Sequence, residues 1–412
     1  INFDPSKAMA WVQLGQCQVA LGLAGLATHS FEQARELNPR SLVAQQALIS
    51  VSSLDFLLMS HPKLDYLLEA TQEIAASDLH LIVGVPPAYH INGEVIISDE
   101  DSLSAEVARE IAMSLLNEEQ QKKFKEEWEL CISIVHPEVG RIRVTFYQRN
   151  GVPEMCFRFC GDEISSRSEL GLPKKIDEMA TKPNGLFLIT GPTGAGKTTT
   201  LNYMVNLINR DRRCKIITIE DPIEFVHRNQ RAIVVQQEVS TDTKSFNKAL
   251  IHVLRQDPDV IVVGEVRDQE AISTALTAAE TGHLVLATMH SPNVASALER
   301  IIGVFEGRAQ KQIVMQLAAT LQGILSQVLL PSVDRTGRVL ACELLLTTTA
   351  SRNLIRENNL HQLENTMQMA GREGMILMDD WLHDLYAKCE ISYDTALTDA
   401  RDPDKIKSRI KQ

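Results

Sequence analysis

The chain is 412 residues long, 44% hydrophobic and 23% charged, with a formal net charge of −12; this is ordinary globular composition with room for about two to three domains, each with its own core. The acidic balance weighs against broad nucleic-acid binding driven by counterion release and leaves at most a local basic channel, so no stable nucleic-acid binding is expected. No stretch approaches the ~18 consecutive apolar residues of a membrane span and no signal peptide is recognisable, while seven cysteines without a C-x-x-C pair weigh against a zinc knuckle or redox motif and fit a reducing cytoplasm.

The chain begins at Ile1 rather than Met, so a leader or a further N-terminal domain stays open. Residues 1–53 read as helical. Trp11, Leu14, Gly15, Ala27, Phe31, Ala34 and Pro39 fall at the spacing of a tetratricopeptide repeat (TPR), a helix–turn–helix unit of about 34 residues. Small Gly and Ala residues let the two helices approach, and Pro39 closes the second. One copy cannot bury its apolar face, because such arrays need about three. The segment is therefore expected to be the end of a longer array; a generic helical hairpin is the plainer alternative.

Residues 54–165 read as a small α+β domain. An amphipathic helix over 64–75 leads into a strand at 78–83, a Gly84, Pro86, Pro87 turn, and a hairpin over 89–95 built on Asn92-Gly93. Helices follow at 104–116 and 118–127, then strands at 141–147 and 155–159 that expose arginines on alternate positions. Residues 166–182 read as a polar linker holding a short helix. From 183 to 412, strands and helices alternate. The runs at 215–219, 260–263 and 284–288 are short, branched and apolar, as in a parallel sheet buried on both faces. Beyond Gln310 the chain is expected to be mostly helical.

The most specific signal lies at the start of this third region. Gly191-Pro192-Thr193-Gly194-Ala195-Gly196-Lys197-Thr198 fits the phosphate-cradling pattern G-x-x-x-x-G-K-[ST]. An apolar strand at 186–190 precedes it and a helical pattern over 199–209 follows, so the motif has its required strand–loop–helix context. Glycines let backbone N–H groups turn onto phosphate oxygens, and the helix N-terminus adds positive potential. Lys197 is placed to reach β- and γ-phosphates and Thr198 to hold Mg²⁺, with Thr199 completing the contact set. A nucleoside triphosphate, ATP with Mg²⁺, is the expected ligand.

Three further groups accompany it. The strand at 260–263 ends in Gly264-Glu265, where a nucleotide hydrolase keeps an acid that orients magnesium's water shell or activates the attacking water. Most such strands end in Asp, so Glu265 is unusual. The acidic run Glu220-Asp221-Pro222-Ile223-Glu224 also follows a strand; Glu224 or Glu220 is a candidate base or magnesium partner, and an acidic helix cap before Pro222 is the plainer alternative. His283 and His290 flank one strand, with His290 at the phosphate end.

Taken together, these motifs resemble the secretion-ATPase superfamily of type II secretion, type IV pili and conjugation, over about residue 64 to the end. Within it the chain is most similar to the PilT-type pilus retraction ATPases. Residues 76–81 with Gly84, Pro87 and Gly93 resemble that family's N-terminal domain, and 350–357 matches its C-terminal signature except at Ser351, where the family has Ile. The tetracysteine zinc insertion of many assembly ATPases is absent. Asn184 stands where the family often has a basic residue.

The resemblance implies an α/β fold: a RecA-like P-loop domain, 183–412, preceded by a small α+β (PAS-like) domain, 54–165, and a short α-helical TPR-like segment, 1–53. It implies catalytic roles for Glu265, Glu224 and His290, and arginines, Arg143 and Arg158, that reach the nucleotide from the N-terminal domain. It implies a homohexamer, cytoplasmic and held peripherally at the inner membrane by a pilus or secretion platform protein, in which hydrolysis swings one domain against the other. The TPR-like segment adds an unknown protein partner. Two rival functions stay open: a DNA-transfer or effector-secretion ATPase of the same superfamily, and a TPR scaffold with a nucleotide-controlled switch.

Overall fold

The computed structural model describes residues 61–410, except 75, 92, 93, 137, 160–163, 240, 241, 335 and 336, together with Trp11, Leu14, Ser30, Gln33 and Ala34. The TPR-like segment expected at 1–53 therefore lies outside the described residues but for those five positions, and the Asn92-Gly93 turn lies outside them entirely. The chain divides into two compact units, Ile1–Asp162 and Glu163–Gln412.

In the first unit, helix α1 (Pro62–Glu73) starts at a proline, whose missing N–H costs nothing in a first turn. Strands β1 (Asp78–Leu81), β2 (Ala88–Ile91) and β3 (Glu94–Ile97) follow, then helices α2 (Ala105–Leu115) and α3 (Glu118–Glu127). Three longer strands close the unit: β4 (Glu129–His136), β5 (Gly140–Arg149) and β6 (Val152–Phe159). Asn117 and Gln120 form a reciprocal capping box at the start of α3, which sets its first residue. The described strands make one antiparallel sheet in the order β3-β2-β1-β6-β5-β4. Ile142, Val144 and Phe146 of β5 point into the core with Leu79, Phe157 and Ile111. The residues between them, Arg141, Arg143 and Thr145, lie on the wetter face, as a period of two demands.

The second unit opens with α4 (Lys175–Ala180). Leu172, Ile176, Met179 and Ala180, inside the segment expected as a linker, are buried in this unit's main core. Next come β7 (Gly185–Thr190), α5 (Lys197–Asp211), β8 (Lys215–Glu220), β9 (Ile233–Glu238), α6 (Phe246–Val253), β10 (Val260–Val263), α7 (Gln269–Glu280) and β11 (Leu284–Met289). After α8 (Val294–Gly303) and α9 (Gly307–Thr320) the chain returns to the sheet as β12 (Leu321–Pro331) and β13 (Arg338–Leu346). Five α-helices follow among the described residues: α10 (Thr349–Arg356), α11 (Leu363–Met369), α12 (Met378–Ala387), α13 (Tyr393–Thr398) and α14 (Pro403–Ile410). The sheet order is β13-β12-β7-β11-β10-β8-β9, with every described pairing parallel except β12 with β13. All of β7, β10 and β11 is buried, which is why these strands read as unbroken apolar runs.

The expected helix after Gln310 is corrected here. The helical stretch ends at Thr320, and β12 and β13 form an antiparallel hairpin that extends the sheet. Leu, Gln and Ser in 321–330 suit a helix locally, and a short apolar run cannot be assigned by periodicity alone. The decisive position is Gly323, where a Cβ would fall 2.7 Å from the Leu345 carbonyl oxygen and 3.1 Å from the Phe187 ring. Only glycine lets the backbone enter the slot between β7 and β13.

Candidate functional site

The loop after β7 is shaped by glycine. Gly191, Gly194 and Gly196 have φ of 146°, 77° and 79°, a region other residues rarely adopt. Gly194 has no atom near its missing Cβ, so only backbone freedom requires glycine there. At Gly191 space is limiting too, because a Cβ would lie 2.2 Å from the Gln327 carbonyl oxygen on β12. Gly191→Ala is thus expected to push the loop off β12 and weaken nucleotide binding at least about tenfold, while Gly303→Ala, with no atom within 4 Å of the added Cβ, leaves binding unchanged. Equilibrium titration with a fluorescent ADP checks both.

Gly196 caps α5 without any side-chain hydrogen bond. The first-turn N–H groups of a helix have no partner within it, so this N-terminus is free to bind an anion. Lys197 opens the helix and is 8% exposed. Its Nζ donates to the Gly191 and Pro192 carbonyls at 2.9 and 2.8 Å and lies 3.3 Å from His290 Nδ1. His290 Nε2 is in turn 3.3 Å from Glu265 Oε1, whose other oxygen accepts from Arg267 at 2.7 Å. If Nδ1 accepts from the ammonium, Nε2 carries the proton and faces the carboxylate. Burial lowers the Lys197 pKa, opposed by the Glu265 charge. Burial pushes the Glu265 carboxyl up, but the Arg267 hydrogen bond, the Arg267 and Lys197 charges and the neighbouring His290 ring outweigh it and hold it below the usual value. The acid is therefore ionised at neutral pH, ready to accept a proton or to orient water.

Three of the residues expected at the site, Lys197, Glu265 and His290, thus converge. The reason is strand order. β10 and β11 lie side by side in parallel register, Val263 opposite Ala287, so Glu265 and His290 both emerge at the sheet edge that the loop occupies. Pro192, Thr193 and His290 also line a cavity of about 610 Å³ with Asn293, Asp399 and Arg401. Thr198 is half-buried and Thr199 exposed; the Thr198 hydroxyl makes no hydrogen bond among the described residues. Magnesium is commonly held by one or two protein groups plus phosphate oxygens and water. A free Thr198 hydroxyl and an ionised Glu265 fit that donor set.

The two candidate acids of the 220–224 loop differ sharply. Glu220 is buried and accepts from Thr218 Oγ1 at 2.6 Å and Gln236 Nε2 at 3.0 Å. Glu224 is exposed, while its neighbour Ile223 is tied through its N–H to Glu238. Asp221-Pro222 is cis. His283 sits at the opposite end of β11, where its Nδ1 lies 2.9 Å from the Ala278 carbonyl. In the first unit, register places Asp78, Arg158 and Arg143 in a row across β1, β6 and β5. Arg158 Nε pairs with Asp78 at 2.8 Å and Arg143 Nε donates to Cys131 Sγ at 3.2 Å. Like charges directly opposite on a sheet cost stability, and the Asp78 carboxylate beside Arg158 offsets that cost in this row.

Several residues escaped sequence reasoning. Gln327, 2% exposed, donates to the Ala195 carbonyl at 2.6 Å and accepts from Thr200 at 3.1 Å, strapping the loop to β12. It lies more than a hundred residues downstream in a stretch expected to be helical, and no local pattern marks it. Arg267, two residues past Glu265, was findable by proximity. Thr190 and Ser291 exchange two hydrogen bonds across adjacent strand ends and fix the backbone next to His290.

Comparison with known proteins gives a consistent answer. The family model for Type II/IV secretion system protein matches residues 167–379. The type IV pilus ATPase PilU of Pseudomonas aeruginosa is 41% identical over 346 residues, covering 84% of this chain and 90% of PilU. The type IV pilus retraction ATPase PilT of the same organism is 39% identical over 340 residues, covering 82% of this chain and 98% of PilT. The crystal structure of the pilus retraction motor PilT with bound ADP superposes with a TM-score of 0.78 at 41% identity, covering 83% of this chain and 98% of that one.

Proposed function

The chain belongs to the type II/IV secretion system protein family, among its PilT-type pilus ATPases, and from that premise we propose that it is a motor that hydrolyses ATP to power type IV pilus retraction. The observation that carries this is the chain of contacts Lys197–His290–Glu265 at the mouth of an uncapped, glycine-shaped helix N-terminus.

In this reaction a water oxygen attacks the γ-phosphorus, the bond to the ADP oxygen breaks, and the water gives up a proton. Lys197 exchanges its loop carbonyls for phosphate oxygens, so its charge is already in place where negative charge gathers. His290 reads the γ-phosphate side. Glu265 orients the water, and Glu265 or Glu224 takes its proton. Thr198 and Glu265 would hold Mg²⁺, which when bound neutralises charge on the β- and γ-phosphates. Arg143 and Arg158 are proposed as further guanidinium donors to the nucleotide.

The motor is proposed to be a homohexamer working at the inner membrane on a platform protein, with residues 1–53 binding a separate protein partner. Its attachment is proposed to be peripheral; no helix among the described residues is long and apolar enough to cross a membrane. The test is phosphate release from Mg²⁺–ATP by the purified full chain, together with its sedimentation at rising protein concentration. Turnover by a six-subunit species is expected; a monomer that releases no phosphate overturns the proposal.

A further inference from the structure

The loop that carries Glu224 is clamped to the helix that carries Lys197, and one clamp is a buried histidine. His227, 7% exposed, places Nε2 2.8 Å from Oδ1 of Asn202, itself 8% exposed and one turn into α5 from Lys197 and Thr198. With Oδ1 accepting, Nε2 carries the hydrogen. The other ring nitrogen, Nδ1, is buried without a hydrogen-bond partner among the described residues. A second clamp sits lower on α5, where Asn209 donates to the Arg228 carbonyl at 2.8 Å and accepts from Gln230 N–H at 3.0 Å.

On its other side His227 is wired to the acidic loop. Its backbone N–H donates to Gln236 Oε1 at 2.8 Å, and the Gln236 amide donates to Glu220 Oε1 at 3.0 Å and to the Phe225 carbonyl at 2.8 Å. The rings of Phe225 and His227 pack with centroids 4.9 Å apart. Burying an imidazole with one nitrogen unsatisfied costs stability, and a leucine or phenylalanine there would avoid that cost. Burial pushes the His227 pKa down to about 4, so the ring is neutral and its single donor permanently aimed at Asn202 under ordinary conditions.

We propose that His227 is a positioning residue that couples the phosphate-binding helix to Glu224 through Asn202, an inference that rests on the ATP-hydrolysis reading above. When phosphate draws on Lys197 and Thr198, the first turns of α5 are loaded, and Asn202 lies on the next turn. Glu224, exposed and three residues before His227, takes its place in the site only while the loop keeps this register on the helix. Misplacing a catalytic group by about 1 Å costs up to about 10² in rate, so the bond is expected to show in turnover rather than in nucleotide affinity.

The experiment is a double-mutant cycle on the full chain, read as kcat, KM and fluorescent ADP affinity. His227→Phe keeps the ring and removes the donor; kcat is expected to fall about tenfold or more, with ADP affinity within about twofold. His227→Gln, whose amide can reach Asn202, recovers most of the rate. Added to Glu224→Gln, His227→Phe changes the rate by less than about twofold, because the group it acts through is already gone. His227→Phe combined with Asn202→Leu removes the orphaned amide and restores thermal stability while the rate stays low. The inference is overturned by an unchanged kcat in His227→Phe, by an equal loss of ADP affinity, by a full further drop in the Glu224→Gln background, or by recovery of rate along with stability. A wild-type chain that hydrolyses no ATP fails the functional reading itself, whereas an active wild type with any of those four results fails only the role of His227.

Discussion

Lys197→Ala is expected to abolish measurable ATP hydrolysis, with kcat down by roughly 10²–10³ or more, and to weaken nucleotide binding as well. Lys197 is 8% exposed as a residue, and its ammonium is held by two loop carbonyls and His290. Its three donors are thus already ordered in the absence of phosphate. Exchange of carbonyl for phosphate oxygen costs little reorganisation, and the gain is electrostatic. Alanine removes the charge and is expected to leave the fold in place, because the ammonium's hydrogen bonds go to the phosphate loop and His290. Thermal unfolding should therefore be close to wild type, which separates a chemical defect from a folding one. Lys197→Arg is not expected to rescue, since a planar guanidinium does not present its donors as the compact ammonium does to the Gly191 and Pro192 carbonyls. Phosphate release and fluorescent ADP titration on the same preparations are the measurements; a Lys197→Ala rate within about threefold of wild type would contradict the assigned role.

Glu265→Gln should separate chemistry from binding. The substitution keeps shape and removes one negative charge from between His290 and Arg267. General-base or water-orienting groups contribute roughly 10²–10⁴ to rate, so kcat is expected to fall in that range while ADP affinity stays within a few-fold. The charge loss has a second consequence. Glu265 is the group that opposes the burial-driven lowering of the Lys197 pKa. In Glu265→Gln that support is gone, so the lysine loses its proton at lower pH than in the wild type. Nucleotide affinity should then decline earlier as pH rises, and ADP titration across the alkaline range reads it. If Glu224 were the sole acid in use, Glu265→Gln would retain most of the rate and Glu224→Gln would not.

The local elements were legible where each residue's neighbours in sequence are also its neighbours in space. The capping box at Asn117 and Gln120 sets the start of its helix as read, and β10 occupies the residues assigned to it. The mixed α/β architecture followed from alternating apolar runs and helical stretches. What failed was β12 and β13, because 321–330 has helix-forming residues and its strand character comes from β7 and β13 on either side. The choice between Glu220 and Glu224 was likewise invisible: one ends the strand and the other follows it closely, and only Thr218 and Gln236 show that Glu220 is occupied.

By itself the sequence determined the phosphate loop, since glycine's left-handed backbone and a helix N-terminus are properties of eight consecutive residues and need no distant partner. It also determined the family, through the order of its acidic and histidine motifs. Only the tertiary structure decided that Lys197, His290 and Glu265 meet, that Gln327 straps the loop, and that His227 leans on Asn202. Those contacts join strands and helices whose neighbours are chosen by packing and by the closure of long loops, and no short window of sequence holds that information.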